Sequence, residues 1–223
     1  MMKAISISAV FAIALVAILG AACAKRPAGT IILCAGDSIT EHGYPRFLNR
    51  MLRSEGKTVR VINEVKSGNT SGEYLAFMRR ELPRLKAVRP NVVLLQLGTN
   101  DIRMDGDHTP LDAFERNMRA ILDLFAEFRS RAGRPPAILL GTIPHVPEGT
   151  PWPFTSESGP RVEGEINPAL RSLAAERGLT LVDNHAVFAE NPGLLRVADV
   201  HPTPDGDRAL AASWHRALAA VIN

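Results

Sequence analysis

Five apolar runs of strand-forming residues alternate with segments of helical spacing, and this alternation limits the possible folds of the chain more than any other feature. Helices that separate consecutive strands return the chain to the starting edge of the sheet, so the strands pair in parallel. The pattern therefore predicts an α/β protein, a three-layer α/β/α domain with a five-stranded parallel sheet. The strands are predicted over Thr30–Ala35, Val59–Val65, Asn91–Leu97, Ala137–Ile143 and Leu179–Val182.

The helices between these strands are predicted from apolar residues three and four positions apart, over 44–54, 73–88, 109–128, 162–177 and from 204 onward. Pro83 lies inside the second helix and is expected to kink or break it, because proline has no N–H to donate. Thr109 and Thr203 each precede a proline and are expected to be N-caps. Residues 144–160 are rich in proline and form a predicted loop long enough to be a rim or lid.

Residues 1–24 have the character of an export signal. Lys3 is their only charge, an apolar run extends from Ala4 to Ala22, and small residues follow. The run is also long enough to be a transmembrane anchor, but the small residues at its C-terminal end are typical of a signal-peptide cleavage site and favour export. Ala22-Cys23-Ala24 fits simple cleavage and secretion, whereas Gly20 to Cys23 resembles a bacterial lipoprotein box. We favour a periplasmic or outer-membrane lipoprotein attached through lipidated Cys23, with the folded domain over 30–223.

Charge and cysteine content exclude several classes of protein. The 26 basic and 23 acidic residues give a formal charge of +3, too small and too evenly spread to predict a nucleic-acid partner. Two cysteines exclude a disulfide-dense scaffold and a four-cysteine zinc site. Cys34 lies within the first strand and is expected to be a small buried hydrophobe, so an internal disulfide would need Cys23. The histidines lack ligand spacing such as H-E-x-x-H, and neither a metal nor a cofactor is expected.

Polar residues collect just after the predicted strands and before the last helix. The segments are Gly36-Asp37-Ser38-Ile39-Thr40, Ser67-Gly68-Asn69-Thr70, Gly98-Thr99-Asn100-Asp101 and Asp199-Val200-His201-Pro202. Ligands of open parallel sheets bind outside the carboxyl ends of the strands, so all four segments can face one crevice.

The residues in these segments are those that acyl transfer requires. A serine hydroxyl becomes nucleophilic when a histidine takes its proton, and a carboxylate orients the imidazole. Ser38, His201 and Asp199 can supply this catalytic set. Fixed hydrogen-bond donors stabilise the oxyanion, and the N–H groups of Ser38 and Gly68 with the side chain of Asn100 can form such an oxyanion hole.

These four segments, in this order, resemble the sequence blocks of the SGNH hydrolases, also called the GDSL esterase/lipase family. The resemblance extends from about Thr30 to the end of the chain. It implies a flavodoxin-like fold, esterase chemistry without a metal, Ser38 as nucleophile, His201 as base, and Ser38, Gly68 and Asn100 as oxyanion donors. The family usually places its aspartate three residues before the histidine, where this chain has Ala198. Asp199 is one residue closer, so a backbone carbonyl could hold the imidazole instead.

Other polar and aromatic residues have structural alternatives. Asp37 is expected to hold its loop by hydrogen bonds, and Asn100 and Asp101 could be turn residues. His42 and His145 border the predicted crevice but fit solvated loop positions. Trp152 and Phe154 either form an apolar platform for substrate or pack the long loop against the domain.

The sequence therefore predicts an exported serine hydrolase that cleaves carboxylic esters, either of the esterase/lipase type or as a carbohydrate deacetylase. Its expected partner is a small-molecule or polysaccharide ester. The chain has no G-x-S-x-G elbow and no G-x-x-x-x-G-K-[ST] loop, which argues against an α/β-hydrolase and a P-loop NTPase. The alternative is a non-catalytic or ligand-binding protein on the same scaffold.

Overall fold

The computed structural model describes residues 29–41, 43–105 and 108–222. The predicted leader, Cys23 and His42 lie outside these residues. In the described part of the chain, five parallel strands form one sheet in the order β2-β1-β3-β4-β5. The predicted α/β class and parallel sheet are confirmed. The strands are β1 (Thr30–Gly36), β2 (Val59–Val65), β3 (Val92–Gln96), β4 (Ala137–Gly141) and β5 (Thr180–Val182).

Helices connect the strands and cover both faces of the sheet. They are α1 (Ser38–Glu41), α2 (Tyr44–Ser54), α3 (Ser71–Ala87), α4 (Leu111–Ala126), α5 (Ser158–Arg161), α6 (Asn167–Arg177), α7 (Asn184–Glu190) and α8 (Pro204–Leu218). A π-helical stretch, Val162–Ile166, joins α5 to α6. The strand order changes direction between β1 and β3, which is where open α/β sheets bind ligands.

Alternating side chains of the strands build two separate cores. Leu33 and Ala35 face α3, α4 and α6, whereas Ile32 and Cys34 face α2, α7 and α8. The central strand β3 is buried along its whole length, which explains its continuous apolar run. The predicted core side of the last helix is confirmed, since Leu210, Trp214 and Leu218 are fully buried.

Two helix predictions need correction. Helix α3 continues through Pro83, so of the two predicted effects, a kink or a break, the break is wrong. Pro83 lies on the exposed side of α3, where water can satisfy the carbonyl of Arg79 that proline leaves without a helical partner. Thr109 is not the cap of α4; Pro110 takes that position without a side-chain hydrogen bond. The Thr109 hydroxyl instead interacts with the carboxylate of Asp101.

The chain after β4 also differs from its predicted course. Helical structure begins at Ser158 rather than at Val162, and α7 was not predicted. The connection between β4 and α5, residues 142–157, is here called the rim loop. Cys34 is completely buried, as expected, and burial raises the pKa of its thiol to about 12. Within the described residues, no helix has the length and apolar character needed to cross a membrane.

Candidate active site

The first polar segment places Ser38 at the start of α1, directly after β1. A Cβ at Gly36 would lie 2.1 Å from the carbonyl oxygen of Gln96 on β3, so only glycine permits this approach of the two strands. The carboxylate of Asp37 accepts a hydrogen bond from the N–H of Ile39 at 3.0 Å. The Asp37 carbonyl accepts from the N–H groups of Thr40 and Glu41. These contacts fix the turn that presents the Ser38 hydroxyl.

Asp37 itself is almost completely buried below this turn. Burial raises the pKa of its carboxyl to about 7, against a lowering by the Ile39 hydrogen bond. The side chain therefore holds the turn from inside the protein, in agreement with the structural role expected for it.

His201 lies between Ser38 and Asp199. Its Nε2 is 2.9 Å from the Ser38 Oγ, and its Nδ1 is 2.6 Å from the Asp199 Oδ1. An ionised carboxylate only accepts hydrogen bonds, so Nδ1 carries the hydrogen and the neutral ring leaves Nε2 as an acceptor for the serine proton. The structure thus brings the three predicted catalytic residues into one hydrogen-bonded chain.

The displaced aspartate is accommodated by the backbone before it. Ala198 has a φ of +50°, in the left-handed region that non-glycine residues seldom adopt. Asp199 Oδ1 also accepts from the N–H of His201 at 3.1 Å, and Arg196 lies 3.8 Å from Oδ2. Partial burial raises the pKa of the Asp199 carboxyl. The hydrogen bonds from His201 and the positive charge of Arg196 outweigh it, so this pKa lies below its usual value. The carboxylate of Asp199 thus contacts the imidazole Nδ1 directly.

Gly68 lies in a tight turn that follows β2. The N–H of Asn69 donates to the Lys66 carbonyl at 3.2 Å, and Gly68 occupies the third position of the turn with φ +78°. This conformation favours glycine. The N–H of Lys66 donates to the Gly36 carbonyl at 3.0 Å, which joins the turn to the end of β1. Within the described residues, the N–H groups of Gly68 and Ser38 donate to no protein acceptor.

Asn100 connects the third polar segment to this turn. It is buried, and its Nδ2 donates a hydrogen bond to the carbonyl of Asn69 at 3.0 Å. A primary amide has two hydrogens, so one remains for an acceptor in the crevice. All three predicted oxyanion donors thus lie on segments that contact one another.

Asp101 has a larger role than a turn residue. Its carboxylate accepts from the Ser71 N–H at 2.9 Å and from the Ser71 hydroxyl at 2.6 Å, at the N-terminus of α3. Burial raises its pKa, although these bonds and the helix terminus favour the charge. Asp101 therefore fastens the loop of Asn100 to the helix that follows Gly68.

Two further contacts around the site were not predicted from the sequence. The hydroxyl of Ser67 donates to the Glu41 carboxylate, which connects the Gly68 turn to the helix of Ser38. The buried guanidinium of Arg161 donates to the carbonyls of Asp101 and Thr109 at 2.8 and 2.7 Å. Both contacts join residues far apart in the chain, and no local motif signals them.

The remaining candidates have different environments. His145 lies in the rim loop and is partly buried, and this burial together with the nearby His185 lowers its pKa. Phe154 packs against both cores, whereas Trp152 is 67% exposed. Phe154 therefore packs the long loop against the domain, which is one of the two predicted alternatives. Among the described residues, no three His, Cys, Asp or Glu side chains are grouped as a metal site requires.

An esterase is among the proteins that this chain resembles in sequence. The chain is 26% identical to a multidomain esterase from Ruminococcus flavefaciens, over 84% of this chain and 28% of that protein. The chain therefore spans less than a third of the length of this relative.

Solved structures share the fold. A variant of an acetyl-xylooligosaccharide esterase from Geobacillus is 22% identical, covers 87% of this chain and 96% of its own, and has a TM-score of 0.69. A lipase/acylhydrolase from Enterococcus faecalis is 22% identical with 86% and 96% coverage and a TM-score of 0.70. The profile of the GDSL-like lipase/acylhydrolase family matches residues 34–209, which include all four polar segments. The predicted resemblance is confirmed, and the chain belongs to the GDSL-like lipase/acylhydrolase family.

Proposed function

We propose that this protein is a serine hydrolase that cleaves carboxylic esters through Ser38, His201 and Asp199. The observation that carries the proposal is the hydrogen-bonded chain from the Ser38 Oγ through both ring nitrogens of His201 to Asp199. Family membership and the esterase relative support it. A merely structural serine at a helix start would need neither the imidazole nor the carboxylate behind it.

In the proposed reaction, the Ser38 Oγ attacks the ester carbonyl carbon while His201 Nε2 takes the hydroxyl proton. The tetrahedral intermediate expels the alcohol, which receives this proton from His201, and the acyl group remains on Ser38. Water then attacks the acyl-enzyme while His201 Nε2 takes one of its protons. The second tetrahedral intermediate breaks the bond to the Ser38 Oγ, which receives this proton from His201, and the carboxylic acid is released. Asp199 stabilises the imidazolium that forms in each half of the reaction.

The oxyanion of both tetrahedral intermediates would be held by the N–H groups of Ser38 and Gly68 and by the Asn100 side chain. The first two have no protein acceptor among the described residues, and the third is fixed through Asn69. Donors that are fixed before the reaction stabilise charge that develops only in the transition state.

We also propose export of the protein, with Cys23 lipidated or the chain cleaved after Ala24. The support is the sequence of residues 1–24. Mass spectrometry of the amino terminus after expression in a bacterial host would distinguish a diacylglyceryl-modified Cys23, a chain starting at residue 25, and an intact Met1. Only the last result, in a cytoplasmic fraction, contradicts export.

The central test uses 4-nitrophenyl acetate and a fluorophosphonate that labels activated serines. Ser38→Ala and His201→Ala should each abolish turnover and labelling while the circular dichroism spectrum stays unchanged. Ser54→Ala is the matched control, because Ser54 is an exposed serine at the end of α2. A folded wild-type protein that neither hydrolyses the ester nor reacts with the fluorophosphonate would instead support the non-catalytic alternative.

A further inference from the structure

All five strands run in the same direction, so the connections that lead from a helix into a strand lie together at one end of the sheet, opposite the candidate catalytic residues. These connections are residues 55–58, 88–91, 127–136 and 178–179. Backbone hydrogen bonds join them to the strands. The N–H of Thr30 donates to the Thr58 carbonyl at 2.9 Å, and the N–H of Ala137 donates to the Asn91 carbonyl at 3.0 Å.

The charges of the chain are separated between the two ends of the sheet. The connections into the strands hold the basic residues Lys57, Arg89, Arg129, Arg131 and Arg134 and the acidic residues Glu55 and Glu127. We call this surface the basic end. Among the described residues, the connections at the opposite end hold the acidic residues Asp37, Asp101, Asp105, Glu148, Glu157, Asp183 and Asp199 and the basic residues Lys66, Arg103 and Arg196. A charge that is evenly spread along the sequence is therefore polarised in the fold.

The helix dipole explains basic residues at the ends of helices, but it does not explain the whole basic end. Helix α4 ends at Ala126, and the dipole acts only within the last turn, well before Arg131 and Arg134. Both arginines are exposed, and neither pairs with a carboxylate in the described part of the chain. Their loop is nevertheless fixed, because Arg89 Nη2 donates to the carbonyls of Ser130 and Arg131 at 3.2 and 3.3 Å.

The described chain also begins at the basic end. A Cβ at Gly29 would lie 2.7 Å from the carbonyl oxygen of Thr58, the residue after Lys57. The sequence between Cys23 and Gly29 is short and contains Lys25 and Arg26. An extended chain spans at most about 3.6 Å per residue, so a lipid on Cys23 would hold Gly29 within about 22 Å of a bilayer. The basic end would then be the part of the domain nearest to the membrane.

We propose that the basic end docks on an anionic phospholipid surface, with the crevice of Ser38 facing away from the membrane. This inference rests on the proposed lipidation of Cys23. Each Lys or Arg close to an anionic membrane strengthens binding about fivefold. Strand β1 has seven residues. At about 3.3 Å per residue it raises the crevice about 23 Å above the basic end. This height exceeds the screening length of about 8 Å at physiological ionic strength, so the acidic residues around the crevice do not oppose docking.

The docked orientation determines the side from which substrate arrives. The Ser38 crevice opens to the aqueous compartment, so dissolved esters and esters of a polymer in that compartment can reach it. An ester buried in the bilayer that carries the protein lies at the opposite end of the domain. The enzyme therefore acts on the contents of the compartment and not on the lipids of its own membrane.

The test uses the mature protein purified from bacterial membranes, with the lipid on Cys23 verified by mass spectrometry. A fluorophore is attached at Ala132→Cys in the basic end or at Val197→Cys beside the crevice, since both positions are exposed and Cys34 is completely buried. The protein is inserted into phosphatidylcholine vesicles with or without phosphatidylglycerol, and a lipid with a nitroxide headgroup quenches nearby labels. We expect phosphatidylglycerol to increase quenching at position 132 and not at position 197. Raising the ionic strength from about 0.15 M to about 1 M should reverse the increase, because the screening length falls from about 8 Å to about 3 Å.

Two double variants with the same change of net charge identify the surface. Arg131→Glu with Arg134→Glu should lower the ratio of docked to undocked protein at least about 25-fold, so that phosphatidylglycerol no longer increases quenching. Arg79→Glu with Arg80→Glu is the matched control, because both arginines are exposed on α3 away from the basic end. This control should dock as wild type does. In both variants, and with either lipid, kcat/KM for 4-nitrophenyl acetate should stay unchanged because the crevice remains open.

The possible failures can be told apart. Quenching at position 132 that does not depend on phosphatidylglycerol, or an equal loss in both double variants, overturns docking and leaves lipidation and ester hydrolysis standing. An increase at position 197 overturns the orientation. Retention on heparin that requires Arg131 and Arg134, without an effect of phosphatidylglycerol, would assign the basic end to a soluble polyanion instead. An unmodified Cys23 in the mature protein refutes the proposed lipidation and this inference with it, whereas inactivity of wild type on 4-nitrophenyl acetate refutes only the proposed ester hydrolysis.

Discussion

Replacing Asp199 by alanine removes the group that orients His201 and stabilises its charged form. The carboxylate contacts the imidazole Nδ1 at 2.6 Å, and the two side chains are 34% and 29% exposed. Two unit charges about 4 Å apart attract by about 4 kcal/mol at an effective dielectric constant of about 20 and by about 1 kcal/mol in water. A partly exposed pair lies between these limits.

These energies translate directly into rate, because the imidazolium forms on the way to the transition state. Each 1.36 kcal/mol is about tenfold, so the electrostatic loss lies between about fivefold and about 10³-fold. Loss of the hydrogen bond that selects the Nδ1–H form of the ring adds to it. We therefore expect Asp199→Ala to lower kcat for 4-nitrophenyl acetate by about 10²–10³.

The assay is steady-state hydrolysis with fluorophosphonate labelling of Ser38 as a second readout. Asp205→Ala is the matched control, because Asp205 is a nearby aspartate with a 77% exposed side chain bound to Arg208. It should retain wild-type kcat. A loss of less than about fivefold in a folded Asp199→Ala protein would refute the role assigned to this carboxylate. The imidazole would then be held by another acceptor.

Three further predictions concern groups around the site. Burial raises the Asp37 pKa from 3.8 to about 7. As pH rises, Asp37 loses its proton in the unfolded chain before it does so in the folded protein. The folded protein therefore loses stability as pH rises from about 4 to about 7. The urea midpoint of wild type should therefore fall more between pH 5 and 7.5 than that of Asp37→Asn, and equal falls would contradict the assignment. The raised Cys34 pKa and complete burial predict no reaction with Ellman's reagent in a folded Cys23→Ser protein and one thiol after unfolding. Glu41→Ala and Ser67→Ala should each lower kcat about two- to tenfold at constant KM. Because a hydrogen bond connects the two side chains, the double variant should lose less than the two single losses combined. Additive losses would show independent roles.

The strands and the polar segments could be predicted from the sequence because each depends on local pattern. A buried parallel strand needs a continuous apolar run, and ligand-facing residues follow the carboxyl ends of such strands. The errors arose where tertiary contacts determine a residue's role. Thr109 has the local features of an N-cap, but the buried carboxylate of Asp101 engages its hydroxyl. Pro83 is tolerated in α3 because its side of the helix faces solvent, which the local sequence does not reveal.

Arg161 and the Glu41–Ser67 pair show a different limit. Their partners are 60 and 26 residues away, and the contacts exist only after the sheet has brought the loops together. Ser67 lies in the second polar segment, but Arg161 and Glu41 lie outside all four polar segments. The polar segments identify which groups face the crevice, but the contacts that hold those groups in position are distributed over the fold and require the structure.

Asp199 stands two residues before His201, where the family usually has three, and yet its carboxylate reaches the imidazole. The spacing between aspartate and histidine matters only because it usually determines where the carboxylate points. That direction also depends on the backbone conformation near the aspartate. Here Ala198 adopts φ +50° and its Cβ faces Gly149 of the rim loop, whereas the next residue turns its carboxylate toward the imidazole. The requirement is therefore an acceptor close to His201 Nδ1, and a change of one position in the sequence is compensated by one residue in a left-handed conformation.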